Sequence, residues 1–232
     1  MEQVTCSEEH KRILFQIPLF SDLPENLKPV LLERLSPDLY DLVKGDIIAR
    51  QNTPCRRLFV LLKGKLRVDI IDALGNDIMI ESIIAPRAFA TPHLFSKDNT
   101  LPATFTVVED GVLLSASKEA LFQLISEYPQ LLKSFLCITG NCNHCTTTRL
   151  RVLSYKSVRS RFIIYLLEHK CNDRQEIRIE HNQVQLADYL CVTRPALSKE
   201  INRMEKEGLI RVKGKIVELL NSEELKRWIL EK

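Results

Sequence analysis

The chain has 232 residues, 45% of them hydrophobic and 27% charged, with a net charge of +3, a composition that suits a folded protein long enough for two domains of ordinary size. No stretch approaches the ~18 uninterrupted apolar residues of a membrane span. The start MEQVTCSEEHKR also lacks the basic, apolar and small-residue succession of a signal peptide, so a cytoplasmic protein without membrane contact is expected.

Residues 8–36 carry spaced apolar positions punctuated by Pro18, Pro24 and Pro37, which predicts short helices and turns. From about Leu39 to Ser117 the texture changes to short β-rich runs such as LFVLLKGKLRVDII and ATFTVVED, broken by Gly45, Gly64, Gly75 and Gly111. Strands at that spacing indicate a small barrel or roll. After KEALFQLISEY comes a long helical run over 129–156, opened by Pro129. Along it Leu132, Phe135, Thr139, Cys142, Thr146, Arg149 and Leu153 recur at spacings of three and four, a coiled-coil-like seam. Its middle, TGNCNHCTTT, joins Gly140 to β-branched and small polar residues, all weaker helix formers than alanine. The third region, 157–232, ends in LIRVKGKIVELL, which reads as a β-hairpin turning at Lys213 and Gly214. An α+β chain of three parts follows: 1–128, 129–156 and 157–232.

Charge separates along the same lines. Residues 149–232 hold 18 Lys and Arg against 12 Asp and Glu, net +6, while 1–148 hold 15 against 18, net −3. The C-terminal part has the balance that a polyanion-binding domain requires. Seven cysteines, an odd number outside any small disulfide framework, read as mostly reduced thiols.

Within the basic region lies LADYLCVTRPALSKEINRMEKEGLI, residues 186–210. Asn182 suits the cap of a short helix over 183–190 that begins with Gln183 and buries Leu186, Tyr189 and Leu190. Thr193 suits the cap of a second helix, with Pro195 in its first turn, where a missing N–H does little harm. At 100° per residue Leu197, Ile201 and Met204 share one face. Pro195, Lys199, Asn202 and Lys206 point the other way. With Ser198 and Arg203 on its flanks and Arg194 at its edge, that face offers cationic donors for guanine and short hydroxyls and amides for base edges or phosphates.

This region resembles the winged helix of the CRP/FNR superfamily of bacterial transcription regulators, and TRPALSKE resembles its recognition-helix signature. The resemblance implies base- and phosphate-reading roles for Arg194, Ser198 and Lys199. Pro195 departs from it, because many members carry there a glutamate that accepts from cytosine. Cys191 replaces a usual glycine, at a position that calls for φ > 0. LVKGDIIARQNTPCRRLFVLLKGKLRVDI is similar to the family's cyclic-nucleotide-binding-type β-roll, with Gly45 and Gly64 at matching turns and Asn52 in place of a glycine. The resemblance makes 129–156 a dimerisation helix. It thus implies a homodimer on double-stranded promoter DNA, and RNA polymerase as a further partner if the protein activates.

Family members that bind cyclic AMP use a glutamate for the ribose and an arginine for the phosphate, within a cassette matching FATPHLFSKDNTLPAT. Those positions are Thr91 and Leu101, with Thr146 and Thr147 as the dimer helix's contribution to the pocket. A buried phosphate without a cation loses several kcal/mol, so cyclic AMP is not expected. An iron–sulfur cluster needs four thiolates, and the N-terminus offers Cys6 alone. Cys142 and Cys145, one CxxC on a helix, are weak metal candidates. IIAPRA with the following LF, N and P is similar to the HcpR branch, which is associated with nitrosative stress, haem and nitric oxide. On side-chain chemistry His93, His144 and Met79, with the two cysteines, are the candidate haem ligands. The expectation is a non-enzymatic, sequence-specific DNA-binding regulator gated by an effector other than cyclic AMP. The alternative is a regulator that needs no ligand or responds through its cysteines. No nucleophile–base–acid set or phosphate-cradling glycine loop argues for an enzyme.

Overall fold

The computed structural model describes residues 2–72, 75, 77–170, 175–179 and 181–230, with only the backbone of 142–146 and 230. Two compact units divide the chain, 1–143 and 144–232, each with its own apolar core. The mixed architecture is the α+β class expected.

The first unit is built on an antiparallel seven-stranded sheet. Its spine is β4 (Arg57–Ile71) against β7 (Thr104–Ser117), extended by β2 (Asp38–Leu42) and β1 (Glu2–Val4) on one side and β5 (Asp77–Ile84) on the other. β3 (Ile47–Ala49) pairs with β7, and β6 (Arg87–Phe89) with β4. The expected runs fuse where glycines were expected to break them. Gly64 and Gly111 lie inside β4 and β7, at a point where the pairing shifts register. A Cβ on Gly111 would stand 2.0 Å from the Lys63 carbonyl oxygen, and one on Gly64 2.8 Å from the carbonyls of Glu109 and Asp110. Two backbones touch there, and only glycine leaves them room. Gly45 and Asn52 occupy the left-handed region as expected, at φ 97° and 63°.

Helices α1 (Glu8–Leu14), α2 (Lys28–Leu35), α3 (Thr91–Leu94) and α4 (Lys118–Glu127) join this sheet's core through Leu14, Leu31, Leu94 and Leu121. Helix α5 (Pro129–Ser154) runs unbroken through Gly140 and crosses the boundary between the units. The expected seam on α5 is corrected. Phe135 is buried in the first core and Arg149 is buried in the second unit, whereas Leu136 and Leu150 are 60% and 65% exposed. At 100° per residue Leu132, Leu136 and Leu150 fall within about 40° of one another. Periodicity alone could not tell the face that each unit covers from its uncovered neighbour. Cys142 and Thr146 of that seam lie outside the described side chains.

In the second unit α6 (Val158–Glu168) contacts both α8 (Arg194–Lys206) and α9 (Ser222–Leu230), with α7 (Gln183–Tyr189) preceding α8. A three-stranded sheet completes it, in the order β8 (Glu176–Arg178), β10 (Ile216–Leu219), β9 (Ile210–Lys213). The hairpin turns at Gly214 and Lys215, one residue beyond expectation, because Lys213 pairs with Ile216 and Gly214 takes the left-handed conformation at φ 62°.

Candidate nucleic-acid interface

The two helices of the motif are bounded by their own side chains. Asn182 Oδ1 accepts from the Gln185 amide at 2.9 Å while Gln185 Oε1 accepts from the Asn182 amide at 3.0 Å, a reciprocal cap on α7. α7 ends at Tyr189, with Leu190 its C-cap rather than its last turn. Cys191 follows at φ 50°, the left-handed conformation its glycine-like position requires. Thr193 Oγ1 then accepts from the Ala196 amide at 3.4 Å, and Pro195 sits in the first turn of α8.

α8 divides as its periodicity requires. Leu197, Ile201 and Met204 are buried in the second core. Arg194, Pro195, Lys199, Asn202, Arg203 and Lys206 are exposed, as are Thr193, Asn182 and Gln183, and Ser198 is half-buried. The motif thus brings all the residues singled out for DNA onto α7 with its N-cap, α8 and the turn between them. Arg203 differs in one respect: its Nε donates to Glu207 Oε1 at 2.9 Å.

Glu207 belongs to a larger network that the sequence reading missed. Arg159 of α6 is only 5% exposed. It donates through Nη1 to Glu207 at 2.7 Å and through Nε to Glu200, and its guanidinium lies 4.4 Å from the Trp228 ring centroid. These hydrogen bonds, Arg159's first and Arg203's after it, hold the Glu207 carboxyl below the usual carboxylate range. Nothing local marks Arg159 for this task, because its partners lie more than forty residues away.

In the first unit, Thr91 opens α3 and is buried behind Ala90 at φ 56°. Leu101 is 1% exposed in the core. It also borders an open cleft of about 420 Å³ that Arg50, Arg56 and Arg57 line. His93, on α3, is half-buried, and burial pushes its pKa down. Met79, on β5, is half-buried, and Thr147, on α5, is exposed. The side chains of His144, Cys142, Cys145 and Thr146 lie outside the described residues. Among the described residues, no three His, Cys, Asp or Glu side chains assemble into a metal site, and no helix is long and apolar enough to cross a membrane.

A sheet-built unit followed by a capped helix-turn-helix with a β-hairpin beside it defines the class of DNA-binding transcription regulators. Comparison with known proteins agrees: residues 41–128 match the cyclic nucleotide-binding domain and residues 160–228 the Crp-like helix-turn-helix domain. The chain belongs to the CRP/FNR family of transcription regulators. It is 21% identical over 93% of its length to the CRP-like cAMP-activated global transcriptional regulator of Mycobacterium tuberculosis, 97% of which is covered. It is 24% identical over 79% of its length to the transcriptional activator protein anr of Pseudomonas aeruginosa, with 77% covered. Among solved structures, a double variant of CooA from Carboxydothermus hydrogenoformans shares the fold, with a TM-score of 0.65 at 19% identity, covering 92% of this chain and 99% of that one.

Proposed function

We propose that the chain acts in the cytoplasm as a homodimer that reads a two-fold promoter site through α8 and is gated by an effector other than cyclic AMP. The observation that carries the reading is the division of α8 into a buried apolar face and an exposed face bearing Arg194, Lys199, Asn202 and Arg203. A helix so divided, short enough to enter a major groove and positioned by a tight turn, suits base reading. The exposed row of Leu132, Leu136 and Leu150 on α5 supports a homodimer, since apolar side chains at this spacing are covered when two such helices pair.

Leu101 supports the exclusion of cyclic AMP. By the resemblance, Leu101 takes the position of the family's phosphate-binding arginine, and it is packed into the core, so the charge the family supplies from that position is missing, while Arg50, Arg56 and Arg57 belong to the open cleft beside it. Haem, with nitric oxide as the signal, is the effector chemistry we favour, in line with the resemblance to the HcpR branch. His93, half-buried on α3, is the residue that would hold such a group, which would supply the gas-binding metal. RNA polymerase would be contacted if the protein activates.

Selection of duplexes from a randomised pool tests the DNA reading. Recovery of a two-fold symmetric sequence with salt-sensitive affinity is expected, and recovery of no sequence preference overturns it. Anaerobic haem titration tests the effector. A Soret band that His93→Ala abolishes is expected, and its absence from the native protein leaves the ligand-independent or cysteine-responsive regulator as the better reading.

A further inference from the structure

Helix C-termini leave carbonyls without partners inside their own helix. Two such ends are served by one side chain here. Just beyond α5, the Tyr155 carbonyl accepts from Arg161 Nε at 2.7 Å. Just beyond α7, the carbonyls of Leu190 and Cys191 accept from Arg161 Nη1 at 2.9 and 3.2 Å. Arg161 stands near the start of α6, half-buried. A cation is favoured at both helix ends by their dipoles. The planar guanidinium fork sets the directions of all three bonds at once, which an ammonium cannot do.

The end of α5 is anchored at other points of the same unit. Val152 is buried in the second core, Arg151 pairs with Glu168 at 2.7 Å, and the Arg149 guanidinium lies 5.0 Å from the Tyr189 ring centroid. The residues linking α5 to α6 have no slack either: the Tyr155 carbonyl is held as described, and the Ser157 hydroxyl accepts from the Ser160 amide at 3.0 Å.

We infer that Arg161 is a positioning residue for DNA reading, which joins the end of α5 and the helix-turn-helix turn into one piece. A rotation of α5 is then delivered to the start of α8 instead of being absorbed at residues 155–157. The path is short: Cys191, whose carbonyl Arg161 holds, precedes Arg194 by three residues, with the Thr193 cap between them. This inference rests on the proposed reading of DNA through α8.

The test compares the duplex that the wild-type protein selects with a scrambled duplex of equal length, using Arg161→Ala and Arg161→Lys. The positioning role predicts an at least tenfold loss of affinity for the selected duplex in both variants. Affinity for the scrambled duplex and the salt slope should stay unchanged. Arg161→Lys keeps the positive charge, so simple attraction to phosphate predicts wild-type behaviour for it, and a wild-type ratio of selected to scrambled affinity in that variant overturns the inference. Should Arg161→Ala fail to fold, Arg161→Lys carries the test alone. A wild-type protein that selects no sequence overturns both readings, whereas a selective wild type with an equally selective Arg161→Lys overturns this one alone.

Discussion

Arg203, on the exposed side of the recognition helix, and Arg159, buried beneath that helix, share one carboxylate, that of Glu207. One arginine is thereby tied to the scaffold and the other is partly neutralised before any DNA arrives. Replacement of Glu207 by Gln should release Arg203 and steepen the salt dependence of DNA binding by up to about one unit. It should also lower the stability of the second unit by about 1 kcal/mol, a modest loss because Glu207 is itself solvent-screened and Arg159 keeps Glu200. Parallel salt titrations and thermal melts of the native and E207Q proteins check both.

The same carboxyl makes a pH prediction. Its pKa in the folded protein is depressed, chiefly by the Arg159 hydrogen bonds. Its stabilising contribution is therefore fully present above the ordinary carboxylate value of about 4.3 and is lost as pH falls through the lower, folded value. Acid melts followed by circular dichroism should show a smaller loss below about pH 4 in E207Q than in the native protein.

Lys199 and Arg203 should fail differently when truncated. Lys199 is exposed, pairs with no side chain among the described residues and points away from the buried face, so Lys199→Ala should cost ~1–3 kcal/mol on the selected duplex and relax preference at one base pair of each half-site. Arg203→Ala should weaken all duplexes alike. It should flatten the salt slope by less than one unit, because Glu207 already offsets part of its charge. A uniform loss in both variants refutes the division between base and phosphate contacts.

Leu136 and Leu150 present the exposed apolar row of α5. Replacing both with Asp should leave each unit's core intact and convert a dimer to monomer in sedimentation experiments. Specific DNA affinity should fall with it, since a two-fold site is then read by one half. A Thr147→Leu variant, exposed between them, should strengthen the pairing and make DNA binding less dependent on effector. Unchanged sedimentation in the double Asp variant places the dimer contact elsewhere.

Gly111→Ala should destabilise the first unit by about 3 kcal/mol, near the upper end for overpacking, because the new Cβ meets a carbonyl of the neighbouring strand at 2.0 Å. Gly140→Ala serves as the comparison. Nothing stands within 4 Å of its Cβ, and it should stabilise α5 by up to about 1 kcal/mol. Thermal melts of the two variants should shift in opposite directions.

Features set by a few adjacent residues were legible in the sequence. The caps at Asn182 and Thr193, Pro195 in a first turn, and the left-handed conformations at Asn52 and Cys191 all rest on local backbone rules. Contacts between distant segments were not legible. Gly64 and Gly111 look like turn glycines until β4 and β7 are laid against each other, and the short strand β8 has too few residues to show a period. Nothing adjacent in sequence marks Arg159 or Arg161, because one is buried against Trp228 and the other spans two helix ends that lie far apart along the chain. On α5 Leu132 belongs to both the seam and the exposed row, but Phe135 and Arg149 are buried while their neighbours Leu136 and Leu150 are uncovered, since apolar residues line two adjacent faces and only tertiary packing decides which is left exposed.

Cys191 also bears on how the recognition helix lives from moment to moment. A side-chain-bearing residue held at φ 50° sits about 1–2 kcal/mol above its relaxed conformations. That energy is confined to the turn, so it lowers the free energy of opening residues 191–193, beyond the fully buried Leu190 and against the hold of Arg161 on the Cys191 carbonyl. The entrance to α8 should therefore sample open states far more often than the buried face of the same helix. Hydrogen exchange would record this as a fast-exchanging turn beside slowly exchanging amides at Ile201 and Met204.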